Sequence, residues 1–251
     1  MKETIVVLAI ILALLISYII YQQIRLPKTI QKEKDQACNE LFSMMLAGGY
    51  SKRVEDFKVY NTKVNPGGIV FVGDSLTENY NVYEFFKGYN VYNRGIGGDT
   101  TIGLLNRMKE SIYDLNPSIV VLLIGINDFQ LVENSSIDTI YENIIKIIKL
   151  INLNCPNCKI ILQSLYPISK KEDPKIDKLS VGIKNNKDIL KLNEKLKTID
   201  KINYLDVNSH LQDEDGNFKI EYTMEGLHAN TAGYNVITAL IKKELSKFGD
   251  Y

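Results

Sequence analysis

The stretch Gly68-Ile69-Val70-Phe71-Val72-Gly73-Asp74-Ser75-Leu76-Thr77 decides how the rest of this chain is interpreted. It begins as an apolar, β-branched run of the length of a buried strand and ends in Gly-Asp-Ser, where a sharp turn is expected. A serine that directly follows such a strand lies at the carboxyl edge of a sheet, where ligands bind in open α/β folds. The same residues would also suit a strand followed by an ordinary Asp-Ser helix cap.

Strand and helix patterns alternate from about residue 51 to the end of the chain. Apolar, strand-like runs occur at Ile69–Val72, Asn90–Tyr92, Ile119–Ile124, Lys159–Gln163 and Ile202–Leu205. Helical spacing of apolar residues occurs at Ile102–Tyr113, Ile137–Ile151, Lys184–Ile199 and Thr231–Phe248. This alternation predicts one α/β domain over residues 51–251, with a parallel sheet covered by helices on both faces.

The composition is that of an ordinary globular protein. The chain has 251 residues, of which 45% are hydrophobic and 24% charged. Thirty basic and thirty acidic residues cancel, so we expect no nucleic acid partner.

The amino terminus predicts a membrane anchor over residues 1–27. Ile5–Ile20 is apolar apart from one serine and one tyrosine, which is at the short end of what spans a bilayer. The run lacks the Ala-x-Ala-like ending of a cleavable signal peptide, so we expect an uncleaved anchor that contacts the membrane through residues 5–21. A buried helix of a soluble protein is the alternative.

The next segment, residues 28–50, predicts a juxtamembrane helix or linker that ends at Gly48-Gly49. More basic residues follow the apolar run than precede it, which favours a cytoplasmic domain. Short amino-terminal anchors more often carry their domain outward. We therefore expect a single-pass membrane protein with an extracytoplasmic domain.

The cysteines indicate little. Cys155 and Cys158 form a C-x-x-C that precedes a strand, whereas a thioredoxin-like pair follows a strand and opens a helix. A structural zinc needs four ligands, and only Cys38 and two scattered histidines remain to complete one. We expect no metal site and favour an incidental loop pair, with a local disulfide as the alternative.

Four polar sites follow in chain order, each at the expected carboxyl edge of the sheet. They are Ser75, the loop Asn93–Thr100, the tetrapeptide Gly125–Asp128 and the tetrapeptide Glu225–His228. Taken singly, each has an ordinary explanation as a turn, a cap or a surface histidine. In a parallel sheet these strand ends lie on one edge, so the four sites can converge.

Together these residue types suit acyl transfer. A serine hydroxyl becomes a good nucleophile when an imidazole takes its proton, and the imidazole needs a carboxylate to hold its tautomer. The developing oxyanion needs fixed donors, which here would be the backbone N–H of Ser75, a glycine N–H of the second site and the Asn127 amide.

These four blocks resemble those of the SGNH hydrolases, the GDSL-type esterase/lipase family. The matching residues are Gly73-Asp74-Ser75-Leu76, Gly98, Gly125-Ile126-Asn127-Asp128 and the Glu225–His228 tetrapeptide. The resemblance implies a flavodoxin-like three-layer α/β/α sandwich with strand order 2-1-3-4-5 and no metal or organic cofactor.

The resemblance also implies residue roles. Ser75 would be the nucleophile and first oxyanion donor, Gly98 and Asn127 the further donors, and His228 the general base. Asp74 would support the nucleophile.

One position departs from the family pattern. The family usually has Asp three residues before the histidine, and here Glu225 stands there. We expect Glu225 to be the triad carboxylate, since Ser-His-Glu triads exist on related folds. The alternatives are Asp206, Asp213, a backbone carbonyl, or a slow or inactive enzyme.

The chain is therefore expected to be a membrane-anchored serine esterase that forms an acyl-enzyme. Its substrates would be O-acetyl groups on cell-envelope carbohydrate, or lipid-derived acyl and thioester groups as in a lysophospholipase or thioesterase. Acyl transfer to a sugar hydroxyl on the same triad is an alternative outcome. The rival from another class is a non-catalytic tethered module that binds acylated glycans.

Overall fold

A computed structural model describes residues 2–249 of the chain, and the side chains of all of these except residues 3, 9 and 35–47. The chain divides into two compact units, residues 1–48 and residues 49–251. Helix α1 runs over Lys2–Asn61, so the predicted helix end at Gly48-Gly49 is wrong. A glycine inside a helix costs only about 1 kcal/mol relative to alanine, which is too little to end one by itself.

The first unit consists of the amino-terminal part of α1. Its segment Thr4–Lys34 has a mean hydropathy of 2.8 over its most apolar window, and none of that window is buried. By length and composition this segment is able to cross a membrane, although a signal sequence has the same properties. Cys38 lies outside the described side chains.

The second unit is built on a five-stranded parallel sheet. Its strands are β1 (Ile69–Gly73), β2 (Val91–Gly95), β3 (Ile119–Leu123), β4 (Lys159–Gln163) and β5 (Asn203–Leu205). They lie in the order β2-β1-β3-β4-β5, which confirms the predicted topology. In the register, Gly73 is opposite both Gly95 and Leu123, so the first three strands end level at one edge.

Helices cover both faces of this sheet. After α1 they are α2 (Ser75–Glu78), α3 (Val82–Phe85), α4 (Thr101–Asn106), α5 (Met108–Ser111), α6 (Asp128–Leu131), α7 (Ile137–Asn154), α8 (Lys178–Val181), α9 (Asn186–Leu196), α10 (Asn208–Leu211) and α11 (Thr231–Leu245). Helix α7 contacts α4 and α9 in one layer. On the other face Tyr80, after α2, stacks on Tyr234 of α11 with ring centroids 4.6 Å apart. This is the predicted three-layer α/β/α sandwich.

The amphipathic helix α7 shows what holds these layers together. Ser136 caps its start by accepting a hydrogen bond from the Thr139 N–H at 3.1 Å. A stripe of isoleucines is buried along one side of the helix: Ile140, Ile144, Ile147, Ile148 and Ile151. Each buried side chain of this size contributes about 1.5–3 kcal/mol, which explains why the pattern predicted the helix well.

The single helix predicted over Ile102–Tyr113 is wrong. The structure has two short helices there, α4 and α5, followed by a 3-10 turn at Tyr113–Leu115. The break lies at Arg107, whose backbone leaves the helical region at φ −125° and ψ 20°. Its side chain turns into the interior, where it makes the contacts described below.

Candidate active site

Ser75 is positioned by the tight turn that follows β1. Asp74 caps α2 by accepting a hydrogen bond from the Leu76 N–H at 2.9 Å, and Ser75 becomes the first residue of that helix. A Cβ atom at Gly73 would lie 2.0 Å from the carbonyl oxygen of Leu123 on β3. Only glycine therefore lets the chain turn at this point, so close to the neighbouring strand.

His228 meets Ser75 although the two residues are 153 positions apart in the chain. Its Nε2 lies 2.9 Å from the Ser75 Oγ, within hydrogen-bond distance. Its Nδ1 contacts the Oε1 atom of Glu225, which also accepts the backbone N–H of His228 at 3.1 Å. The structure thus brings together the three residues that the sequence nominated as a triad.

The Glu225–His228 tetrapeptide is held as a turn by Gly226. This glycine has φ +103°, and its N–H donates to the Thr223 Oγ1 at 2.8 Å. The hydroxyl of Thr223 in turn donates to the His228 carbonyl, also at 2.8 Å. A Cβ atom at Gly226 would lie 2.7 Å from the carbonyl oxygen of Ser169. Both the backbone conformation and the space available therefore require glycine here.

Among the described residues, three groups near this turn have an N–H without an acceptor: the backbones of Ser75 and Gly98 and the Asn127 amide. Within residues 2–249, the backbone N–H groups of Ser75 and Gly98 have no hydrogen-bond acceptor. A Cβ atom built on Gly97 would lie 4.0 Å from the Ser75 Cβ, so the loop Asn93–Thr100, here called the glycine loop, is beside Ser75. The Asn127 amide donates one hydrogen bond to the Asp99 carbonyl at 3.0 Å, which ties it to the same loop and leaves its other N–H available.

Arg107 is a residue of this site that the sequence analysis missed. Its guanidinium is 1% exposed and pairs with the Asp99 carboxylate at 2.6 Å. It also donates to the carbonyls of Gly73 at 2.8 Å and Arg94 at 2.7 Å. Arg107 therefore fastens the ends of β1 and β2 to the glycine loop. Its position within a helical pattern gave no signal of this role.

Asp128, the last residue of the tetrapeptide Gly125–Asp128, has a structural role. Its carboxylate accepts the Thr101 N–H at 2.9 Å and also contacts the Thr101 hydroxyl, which fixes the start of α4. The Asn143 amide of α7 donates to the same hydroxyl at 2.9 Å. Burial raises the pKa of Asp128 despite these hydrogen bonds.

Asp74 is a buried carboxyl group that directly precedes Ser75. It is fully buried, and its Oδ2 is without a hydrogen-bond partner in the described part of the chain. Burial, with smaller contributions from the charges of Asp99 and Asp128, raises the pKa of Asp74 to about 7. Its visible role is to cap α2 and so to orient Ser75.

The alternative carboxylates are engaged elsewhere. Asp206 accepts the Ser209 N–H at 3.1 Å, and Asp213 pairs with Lys171 at 2.7 Å. Among the contacts that the structure describes, neither touches His228. The backbone carbonyl alternative also fails in this structure, because the His228 Nδ1 contacts Glu225.

The cysteine pair and metal ligands add no second site. Cys155 and Cys158 are buried free thiols, and burial raises the pKa of Cys158 to about 12. Thiols in such surroundings are inert. Among the side chains that the structure describes there is no group of three or more His, Cys, Asp or Glu residues that could hold a metal.

The chain matches known proteins over most of its second unit. The model of the GDSL-like Lipase/Acylhydrolase family matches residues 71–236. The platelet-activating factor acetylhydrolase IB subunit alpha2 of Homo sapiens is 30% identical over 181 residues, 70% of this chain and 75% of that protein.

Solved structures agree. One from Streptococcus pneumonia, described as a candidate platelet activating factor, is 28% identical over 84% of this chain and 99% of that one, with a TM-score of 0.76. A GDSL-like lipase from Bacteroides thetaiotaomicron is 26% identical over 77% of this chain and 97% of that one, with a TM-score of 0.68.

Proposed function

Because this chain belongs to the GDSL-like lipase/acylhydrolase family and is a serine ester hydrolase, we propose that it works through a Ser75-His228-Glu225 triad. The observation that carries the proposal is the unbroken contact from the Ser75 hydroxyl, through both ring nitrogens of His228, to the Glu225 carboxylate. Nucleophile, base and orienting group are thus within hydrogen-bond reach of one another, as serine catalysis requires.

The first half-reaction forms an acyl-enzyme. The Ser75 Oγ attacks the ester carbonyl carbon while its proton moves to the Nε2 of His228. The carbonyl oxygen becomes an oxyanion, which accepts hydrogen bonds from the N–H groups of Ser75 and Gly98 and from the Asn127 amide. His228 then gives its proton to the departing alcohol oxygen as the ester C–O bond breaks.

The second half-reaction regenerates the enzyme. Water loses a proton to the Nε2 of His228 and attacks the acyl carbon, and the imidazolium then protonates the Ser75 Oγ as it leaves. The part of Glu225 is to hold the ring tautomer of His228 and to stabilise the imidazolium.

As substrates we propose acetyl and other short acyl esters. The support is the acetylhydrolase activity in the name of the relatives that are 30% identical to this chain. Hydrolysis of p-nitrophenyl esters from acetyl to palmitoyl tests this, and the rate is expected to fall as the acyl chain lengthens. A maximum at palmitoyl would overturn the substrate class while leaving the triad intact.

The nucleophile itself is tested by Ser75→Ala. We expect kcat to fall by about 10³-fold or more, with the residual rate coming from the donors and binding alone. The exposed Ser246, which donates to the Lys243 carbonyl far along the chain, provides the matched control Ser246→Ala. Turnover in folded Ser75→Ala equal to that of the control would end the proposal.

We also propose that residues 5–21 form a single-pass membrane anchor, with the esterase domain outside the cytoplasm. The exposed apolar segment within Thr4–Lys34 supports the anchor, and the side of the membrane is the part that the protease experiment tests. The protein should resist carbonate extraction from membranes, and protease added to intact cells should remove the domain. A mature amino terminus beyond Tyr21 would show a cleaved signal peptide instead.

A further inference from the structure

A cavity of about 360 Å³ lies within the second unit, and Ser75 is not among the residues that line it. Its wall comes from the last turns of α1, from α2 and α3, and from β2. The charged residues in this wall are Arg53, Glu78 and Arg94, and its neutral donors include Tyr60, Tyr83 and Asn81. None of Ser75, His228 and Glu225 is part of it. The volume is that of a site for a small molecule.

Arg94 is an unusual residue in this wall, because its charge is buried without an acidic partner. The residue is 2% exposed, and its guanidinium lies 4.9 Å from the ring centroid of Phe57 and 5.7 Å from that of Tyr92. It donates to the Asn61 Oδ1 at 2.8 Å and to the Asn93 carbonyl at 3.0 Å. No ion pair to Arg94 exists among the side chains that the structure describes. A buried charge of this kind is unfavourable unless it is paired.

Arg53 supplies a second guanidinium beside the first. It stacks on the same Phe57 ring, 5.2 Å from its centroid, and its Nε lies 3.3 Å from the Glu78 Oε1. The side chains of Arg53 and Glu78 are each 32% exposed, so the cavity is reachable from solvent on this side. Two guanidinium groups against one carboxylate leave the wall with a net positive charge.

Unused hydrogen-bonding capacity is concentrated at this cavity. Four buried side-chain N or O atoms have no hydrogen-bond partner within the described residues, and two of them are the Nε atoms of Arg53 and Arg94. The Arg53 Nε faces the Glu78 carboxylate, whereas the Arg94 Nε has neither a hydrogen bond nor an ion pair among the described side chains. Because buried polar groups are rarely left unpaired, the Arg94 Nε indicates a missing acceptor. Guanidinium forks match the oxygens of a phosphate in number and spacing.

We propose that this cavity binds a phosphate group, either inorganic phosphate or the phosphate of a small ester, through Arg53 and Arg94. The bound oxygens would accept from the Arg94 Nε–H and from the part-exposed guanidinium of Arg53, and would supply the acidic partner that Arg94 lacks. The tyrosine hydroxyls and the Asn81 amide would complete the ligand shell.

Such a site would be coupled through Glu78 to the glycine loop, Asn93–Thr100. The Oε1 of Glu78 pairs with Arg53, and its Oε2 accepts the N–H of Gly97 at 2.9 Å, one residue before the oxyanion donor Gly98. A phosphate that draws Arg53 away from Glu78 would change the electrostatic environment of the hydrogen bond between Glu78 and the Gly97 N–H. This consequence rests on the proposed oxyanion role of Gly98, whereas phosphate binding itself does not.

The test is calorimetric titration of sodium phosphate, and separately of glycerol phosphate, into the full-length protein in detergent at constant ionic strength. We expect saturable binding that is at least 10-fold weaker in Arg53→Gln. Ser75→Ala should bind as the wild type does, which separates this site from the catalytic one and from the fate of the esterase proposal. Lys58→Gln, an exposed neighbour on the same helix that pairs with Glu55, is the matched control.

The outcomes are distinct. Tighter binding of glycerol phosphate than of inorganic phosphate would identify a phosphate ester as the ligand, and the reverse order would identify the free ion. Arg94→Gln should lose binding as well, and if this variant does not fold, Arg53→Gln alone decides. No saturable binding of either probe, or equal affinity in Arg53→Gln and Lys58→Gln, would overturn the proposal.

Discussion

Replacing Glu225 by glutamine tests the assignment in which this chain departs from its family. One carboxylate oxygen, Oε1, serves both the ring Nδ1 and the backbone N–H of His228. Glutamine keeps the length of the side chain and an oxygen that can accept both hydrogen bonds. The substitution therefore removes the negative charge and little else.

The magnitude follows from the geometry of this pair. Two unit charges about 4 Å apart interact with about 4 kcal/mol at an effective dielectric constant of about 20. At about 1.4 kcal/mol per tenfold change in rate, this corresponds to a loss of about 10³-fold. The Glu225 and His228 side chains are 20% and 22% exposed, and solvent screening at that exposure lowers the loss towards 10². An upper limit of about 10⁴ comes from the loss of the triad carboxylate in serine proteases.

The assay is hydrolysis of p-nitrophenyl acetate, with circular dichroism to verify folding. We expect kcat/KM to fall by between about 10² and 10⁴ in Glu225→Gln, mostly through kcat, because the carboxylate stabilises a charge that appears only during reaction. Asp206→Asn is the matched control, since Asp206 does not contact the histidine. If folded Glu225→Gln keeps more than a tenth of wild-type activity, the carboxylate is dispensable. If Asp206→Asn is inactive instead, the wrong carboxylate has been assigned.

Three further substitutions probe the surroundings of the triad. Asn127→Ala should lower kcat by about 10²–10³ with little change in KM, whereas a role confined to the Asp99 contact would lower only the thermal midpoint. Arg107→Met should destabilise the fold by about 3–5 kcal/mol, measured by urea unfolding, because it leaves the Asp99 carboxylate buried and unpaired; an unchanged midpoint would refute this. Asp74→Asn tests pH dependence. Because the folded protein raises the pKa of Asp74 to about 7, it retains a proton that the unfolded chain releases above about pH 4, so wild-type stability should fall between about pH 4 and 7. The fall should reach up to about 4 kcal/mol relative to Asp74→Asn, and parallel stability profiles of the two proteins would contradict it.

The sequence predicted the sheet because its strands carry local signals, and the structure also brings Ser75, His228 and Glu225 together. The uninterrupted run Ile119–Ile124 marks a central strand, and the Gly-Asp-Ser at residues 73–75 marks a turn that β-branched residues could not make. His228 and Glu225 were nominated by the resemblance to the SGNH family, in which the carboxylate stands three positions before the histidine.

What the sequence could not predict depends on contacts between distant residues. Arg107 stands at a position where a helical pattern favours an ordinary exposed arginine, and only the carbonyls of Gly73 and Arg94 explain why its helix breaks. The link from Glu78 to Gly97 likewise joins two segments whose approach is set by the pairing of β1 with β2. The glycine pair at residues 48–49 predicted a helix end that the structure does not have, since α1 continues through both residues.

The turn at Glu225–His228 has a consequence for how activity can be lost. His228 and Glu225 belong to one tetrapeptide, so they move together whenever this segment shifts. Among the hydrogen bonds that the structure describes, one between His228 and Ser75 joins the tetrapeptide to the proposed nucleophile. A displacement of the Glu225–His228 turn by about the length of one hydrogen bond would therefore separate Ser75 from His228 while His228 and Glu225 stayed paired. Return of the turn would restore the contact without any rearrangement within the pair.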